Sequence, residues 1–158
     1  MNNIIIKYSL VFLFIALTNC GFKVLDNLDS NNFNIREINT SGDKRINFKI
    51  KNDLIIDYSS NSTNNLIITL DTKKTKQIKE KNIKNEITKY EVTLVSSIEL
   101  NFLEKDIKDN FTVSSNGDYL AADKYSTTIQ NEKRLIENLT NDLSDKIKNR
   151  INLITNDL

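Results

Sequence analysis

Few side chains in this chain could do covalent or metal chemistry. Cysteine occurs once, at Cys20, and histidine does not occur at all. A Cys/His metal site, a histidine-based catalytic triad and an intramolecular disulfide are therefore all excluded. Carboxylates are plentiful but scattered among bases, and no spacing suggests a catalytic acid and base, so they read as solvated surface. Two features stand out. One is the lone thiol of Cys20. The other is the run Lys73, Lys74, Lys76, Lys79, Lys81 and Lys84, opposed only by Glu80. Neither feature calls for a metal or a cofactor, and the expectation is a protein that is not an enzyme.

The residues before the thiol say what it is for. Lys7 precedes an apolar run from Tyr8 to Leu17, about the length of an export-signal core and well short of the roughly 20 residues of a spanning helix. The run ends in Leu17-Thr18-Asn19-Cys20, which resembles the lipobox of bacterial lipoproteins, where diacylglycerol is attached to the cysteine sulfur before the signal is cut away. Asn19 departs from the small residue usual before the cut, and slower cleavage is expected there. An ordinary secretory leader with an incidental cysteine is the alternative; it would leave an unpaired thiol in an oxidising compartment. Gly21, not Asp, follows Cys20, which by resemblance to the Gram-negative sorting rule favours the outer membrane, on its periplasmic side. Acyl chains such as palmitate would anchor the protein there. The expected organisation is a signal peptide over 1–19, a lipidated tether over 20–32 and a single domain over 33–158.

Charge narrows the partners. The leader carries one charged residue, Lys7, so the rest of the chain has as many bases as its 21 acids. Bulk charge therefore predicts no nucleic-acid partner. The chain holds three Gly and no Pro beside its many Asn, Ile and Lys residues, a pattern that reads as coding bias. Lysine positions are then more informative than lysine counts.

Periodicity supplies the elements that would position these residues. Phe33 to Ile38 alternates as a short strand. Ser41-Gly42-Asp43 offers capping oxygens to a helix in which Ile46, Ile50 and Leu54 recur at four-residue steps, flanked by Phe48 and Ile55, to an end near Tyr58. Ser59 to Asn65 is a polar loop, whose Asn61-Ser62-Thr63 sequon carries no meaning in a bacterial lipoprotein. Leu66, Ile68 and Leu70 start a second strand that runs into the lysines. The clearest pattern puts Tyr90, Val92, Leu94, Ile98, Leu100 and Phe102 on one face of a strand, with Lys89, Glu91, Thr93, Ser97, Glu99 and Asn101 on the other. Only one face is covered, as in an antiparallel sheet with helices on one side. After a turn at Glu104 to Asn110, Phe111 and Val113 resume the alternation, and Asn116-Gly117 suggests a bend or bulge before Tyr119 to Tyr125. From about Thr128 the period is helical, with Leu135, Leu139, Leu143, Ile147, Ile151, Ile154 and Leu158 in one stripe. The fold class expected is α/β (α+β): a two-layer sandwich of a mostly antiparallel four-stranded sheet with two helices on one face, in the order β-α-β-β-β-α.

Cys20-Gly21-Phe22-Lys23-Val24-Leu25 resembles the mature start of the lipopolysaccharide-assembly lipoprotein family LptE, in which Pro is usual where Val24 stands and Tyr where Asp26 stands. Glu86-Ile87-Thr88-Lys89-Tyr90-Glu91-Val92-Thr93-Leu94 looks like the family's long central strand. Tyr125-Ser126, leading through Asn131-Glu132 and Arg134, is similar to the entry into its final helix. The resemblance implies a lipoprotein that sits as a heterodimer inside an LptD-like outer-membrane β-barrel, plugs and assembles it, and assists lipopolysaccharide transport to the outer leaflet. Its implied partners are the barrel, lipopolysaccharide and, through its acyl chains, the membrane. A structural or ligand-binding outer-membrane lipoprotein unrelated to lipopolysaccharide, and a periplasmic enzyme with a pocket of convergent polar groups, are the other readings.

Within the first reading, Lys73, Lys74, Lys76, Lys79, Lys81 and Lys84 are candidate lipopolysaccharide-binding residues, because lipid A and the inner core carry phosphates that flexible ammonium groups can reach. A solvated lysine-rich hairpin that discourages edge pairing is the competing account. The thiol has a direct test. The mature protein is expected to begin at Cys20 and carry acyl chains, and Cys20→Ser should abolish lipid labelling. An intact mass showing an unmodified Cys20 thiol in the mature native protein would contradict this.

Overall fold

The computed structural model describes residues 33–57 and 65–156. The elements are β1 (Asn34–Gly42), α1 (Lys44–Asp57), β2 (Asn65–Lys81), β3 (Ile87–Phe102), β4 (Ile107–Leu120) and α2 (Tyr125–Asn156). The four strands form one sheet in the order β1-β2-β3-β4. β1 pairs parallel to β2 and the other pairs are antiparallel. A parallel pair cannot be closed by a tight turn, and α1 lies on the crossover between β1 and β2. The α+β order and the mostly antiparallel sheet are as the periodicity predicts.

Alternation along β3 buries Val92, Leu94, Ser96, Ile98, Leu100 and Phe102, and their register partners Leu66, Ile68, Leu70 and Thr72 of β2 are buried on the same face. Against that face α2 packs Leu139, Leu143, Ile147 and Ile151, and α1 packs Ile46, Ile50 and Leu54. Removing these side chains from water is the main favourable contribution to folding. Both helices lie on this face, and neither is long and apolar enough to cross a membrane.

Local chemistry explains the boundaries. Asp43 caps α1: its Oδ1 accepts hydrogen bonds from the Arg45 and Ile46 amides at 3.1 and 3.2 Å, satisfying donors that a helix start leaves open. In the β2–β3 turn Asn82 Oδ1 accepts from the Lys84 and Glu86 amides. Asn85 and Asp106, in the β2–β3 and β3–β4 turns, adopt φ of 63° and 52°, the left-handed conformation that short polar side chains tolerate.

Several boundaries differ from the sequence expectation. β1 runs on to Gly42, well past Ile38, because its last residues are exposed edge positions held by backbone pairing to Thr69–Thr72, which polarity does not reveal. Ile46, Ile50 and Leu54 form the expected stripe and are buried, while the flanking Phe48 and Ile55 are 68% and 45% exposed. Asn116-Gly117 makes no bend, since β4 stays in continuous register with β3 from Ile107 to Leu120. Gly117 instead lets α2 approach: a Cβ there would lie 2.9 Å from Leu135 Cδ1. The strand stops at Leu120, and Tyr125 already opens the helix.

Gly42 is the tightest joint. Its φ is +86°, and an added Cβ would lie 2.1 Å from the Thr72 carbonyl oxygen, the atom that accepts the Asp43 amide at 2.8 Å. Gly42→Ala meets both a backbone clash and left-handed strain, and is expected to lower unfolding free energy in urea by more than about 1 kcal/mol. An unchanged denaturation midpoint would show that this junction relaxes freely.

Candidate functional site

The lysine run does not sit between strands. Lys73, Lys74, Lys76, Lys79 and Lys81 belong to β2 itself, and Lys84 alone lies in the following turn. Strand alternation then divides what the sequence keeps together. Lys74 and Lys76 are on the helix-covered face: Lys74 Nζ is 3.6 Å from Asp43 Oδ2, and Lys76 Nζ is 2.6 Å from Glu132 Oε2 on α2. Lys79 is 2.5 Å from Asp118 and 3.5 Å from Glu91, on the opposite face. Lys81 Nζ donates to Asn85 Oδ1 at 3.0 Å. The expected local positive field is therefore interrupted, with Lys74, Lys76 and Lys79 in ion pairs. Long-range partners did this, and no local spacing signals them.

Lys76 is the most enclosed of the set. Tyr90 and Tyr119 stack with centroids 5.3 Å apart, and Lys76 Nζ lies 4.4 Å from the Tyr90 ring centre and 5.3 Å from that of Tyr119, within reach of a cation–π interaction. Tyr119 Oη donates to the same Glu132 oxygen at 2.8 Å. Burial opposes charge on Lys76, but its hydrogen bonds with Glu132 and Tyr119 outweigh this and raise its pKa. Burial likewise opposes charge on Glu132, and the hydrogen bonds from Lys76 and Tyr119 outweigh it and lower its pKa. Burial, then Glu132, raises that of Tyr119. All three shifts move proton exchange away from neutrality, so the cluster clasps β2, β4 and α2 together and is poorly suited to acid–base work.

Two surfaces remain. The uncovered sheet face presents Thr69, Lys73 and Thr75 of β2, Thr93, Val95, Ser97 and Glu99 of β3, and Asn110, Thr112, Ser114 and Asn116 of β4. It is mostly polar and of mixed sign, with Val95 and Ile67 among its few apolar members. The second is a cleft of about 270 Å³ between the first turns of α1 and the Lys133–Thr140 stretch of α2, lined also by Lys74 of β2. Arg45, Lys49 and Lys133 line it with Asp43 and Glu137, above Ile46 and Ile136. The sequence reading missed this cleft. The one local signal is that α1 opens on Lys44-Arg45 with no acid in its first turn.

Among the described residues, no group of three or more His, Cys, Asp or Glu could hold a metal ion. Cys20, the signal peptide and the tether lie outside the described residues.

The clasp predicts an acid dependence. Because the Glu132 pKa is lowered on folding, its stabilisation is present above the unfolded carboxylate pKa and is lost as pH falls through the lowered folded value. Lys76 has the opposite sign, with its contribution present below the unfolded lysine pKa and lost only at strongly alkaline pH. Glu132→Gln is expected to cost about 1 kcal/mol at neutral pH, and less in acid. A variant deficit that stays constant from neutral pH into the acid range would contradict this account.

No protein-family model matches the chain, and no curated protein matches its sequence. Its structure is similar to solved bacterial lipoproteins. Rare lipoprotein B from Shewanella oneidensis superposes with a TM-score of 0.60 at 12% identity, over 75% of this chain and 95% of that one. Minor lipoprotein from Acinetobacter baumannii gives 0.52 at 15% identity, over 73% and 91%. At these identities the likeness establishes a shared fold, one in which bacterial lipoproteins are found.

Proposed function

We propose that this protein is an outer-membrane lipoprotein, anchored through Cys20, that plugs and assembles an LptD-like β-barrel and assists lipopolysaccharide transport to the outer leaflet. The observation that carries the proposal is the uncovered face of the sheet. Its centre, around Thr93, Ser97, Thr112 and Ser114, is hydroxyl-rich, and Ser97 and Thr112 bond each other at 3.3 Å. A face of this kind suits contact with a polar, water-lined surface, and the lumen of an outer-membrane barrel is such a surface. The motifs at Cys20-Gly21-Phe22 and Glu86–Leu94 support the same reading, as does a fold found among bacterial lipoproteins. On this reading the folded domain supplies the interface, and the acyl chains supply location. Lys73, Lys81 and Lys84, which face away from the helices or lie at the hairpin tip, remain candidates for lipopolysaccharide phosphates.

The proposal is tested by mild-detergent pulldown from a bacterial envelope, with identification of the bound protein by mass spectrometry. A large β-barrel should co-purify. Ser97→Arg with Thr112→Arg, at exposed positions, should weaken that association at least about tenfold at a stability cost of about 1 kcal/mol, since the two arginines stand directly opposite each other. Recovery of the wild-type protein without any barrel would overturn the proposal, as would full retention of the barrel by the double variant.

A further inference from the structure

We infer that the cleft between α1 and α2 binds the phosphate head of an anionic lipid. The inference rests on the transport reading only for the class of ligand, a phosphorylated amphiphile. Arg45 and Lys49 of α1, Lys133 of α2 and Lys74 of β2 line the cleft. Two acids face these four cations, so the lining is positive by two charges. Asp43 already caps the helix through Oδ1 and holds Lys74 at 3.6 Å through Oδ2. Glu137 forms no ion pair among the described residues, and neither do Arg45, Lys49 or Lys133. The cleft is therefore a net positive recess, unlike the hairpin, where carboxylates consume much of the lysine charge.

Asp43, the cap, supplies the acid at this helix start, and Lys44 and Arg45 follow it in a first turn that contains no further acid, so cations outnumber acids at the positive end of the helix dipole. A bound anion meets the guanidinium of Arg45, whose planar fork matches phosphate oxygens. The lining adds a second requirement. Ile136 is half-buried beside the recess with Ile46 beneath it, so a ligand carrying an apolar segment next to its phosphate gains contacts that a free phosphate does not.

The experiment is a calorimetric titration of the mature protein in nonionic detergent with dihexanoyl phosphatidic acid, inorganic phosphate and dihexanoyl phosphatidylcholine. Phosphatidic acid should bind at least about tenfold more tightly than inorganic phosphate, and phosphatidylcholine should not bind measurably. Arg45→Gln with Lys133→Gln should weaken phosphatidic acid binding about tenfold and flatten its salt dependence, with a thermal midpoint that is unchanged or higher. Ile136→Ala should weaken phosphatidic acid but not phosphate. Lys81→Gln with Lys84→Gln, at the hairpin, should leave both affinities intact. Equal affinity of wild type and the Arg45/Lys133 double variant for phosphatidic acid overturns the inference. So does phosphate binding as tightly as the lipid, or a loss confined to the hairpin variant. In those cases a barrel that still co-purifies keeps the transport reading, whereas lipid binding at the cleft without any barrel keeps the cleft and removes that reading.

Discussion

The register between β2 and β3 is the constraint on which the rest of the structure depends. Those two strands carry the largest pairing in the sheet, from Leu66 opposite Phe102 to Lys81 opposite Ile87. In the middle of their apolar face, Ser96 interrupts the alternation where another aliphatic residue would fit. Thr72 stands directly opposite, and the two hydroxyls meet at 2.7 Å with both residues fully buried. A slip of one residue would turn every apolar side chain of β3 to the open face, and a slip of two would keep both hydroxyls buried but part them, leaving each without this bond. The pair therefore adds specificity to a core whose aliphatic side chains alone are indifferent to register. Thr72 also places the next element: its carbonyl holds the Asp43 amide, which sets the start of α1 and the cation-lined cleft beside it.

The same registry defines where β2 loses its outer neighbour. β1 ends with Gly42 opposite Thr72, so from Lys73 onward the strand has β3 on one side and an open edge on the other. A long exposed edge invites pairing with other chains, and lysines are a common defence. Most of the lysine run is thus accounted for by the sheet itself: Lys73 guards the edge, Lys74 meets the α1 cap, Lys76 enters the tyrosine clasp and Lys79 bridges to Asp118. On β4, the opposite edge, Lys146 donates to the Ser114 carbonyl at 2.9 Å while also pairing with Asp142, which accepts from Ser115. A side chain of α2 thereby occupies part of that edge as well.

What could be read from the sequence was whatever a long, one-sided element imposes on composition. β3 and α2 bury one face over many residues, so a period of two in the first and steps of three and four in the second announce both element and orientation. The order of elements and the one-sided layering followed from those two. β1 was legible only to Ile38, because the pairing of Asn39 to Gly42 is carried by backbone groups that every sequence has. Gly117 misled because a glycine that admits a neighbouring helix looks the same in sequence as one that bends a strand, and the exposure of Phe48 and Ile55 beside a buried stripe is not marked by their apolarity. The candidate site fared worst. Lys76 and Glu132 lie 56 residues apart, and nothing local to either marks the other.

That failure separates two kinds of positive charge in this protein. Abundance drew attention to β2, where lysines at alternating positions cannot share a ligand because half face the helices and half face away. In the α1–α2 cleft the cations are fewer, but they converge from three elements, and Arg45, Lys49 and Lys133 form no ion pair among the described residues. The ion pairs of β2, by contrast, each tie one element to another. In a lysine-rich chain, then, functional charge is better sought where converging cations lack a structural partner than where cations are most numerous.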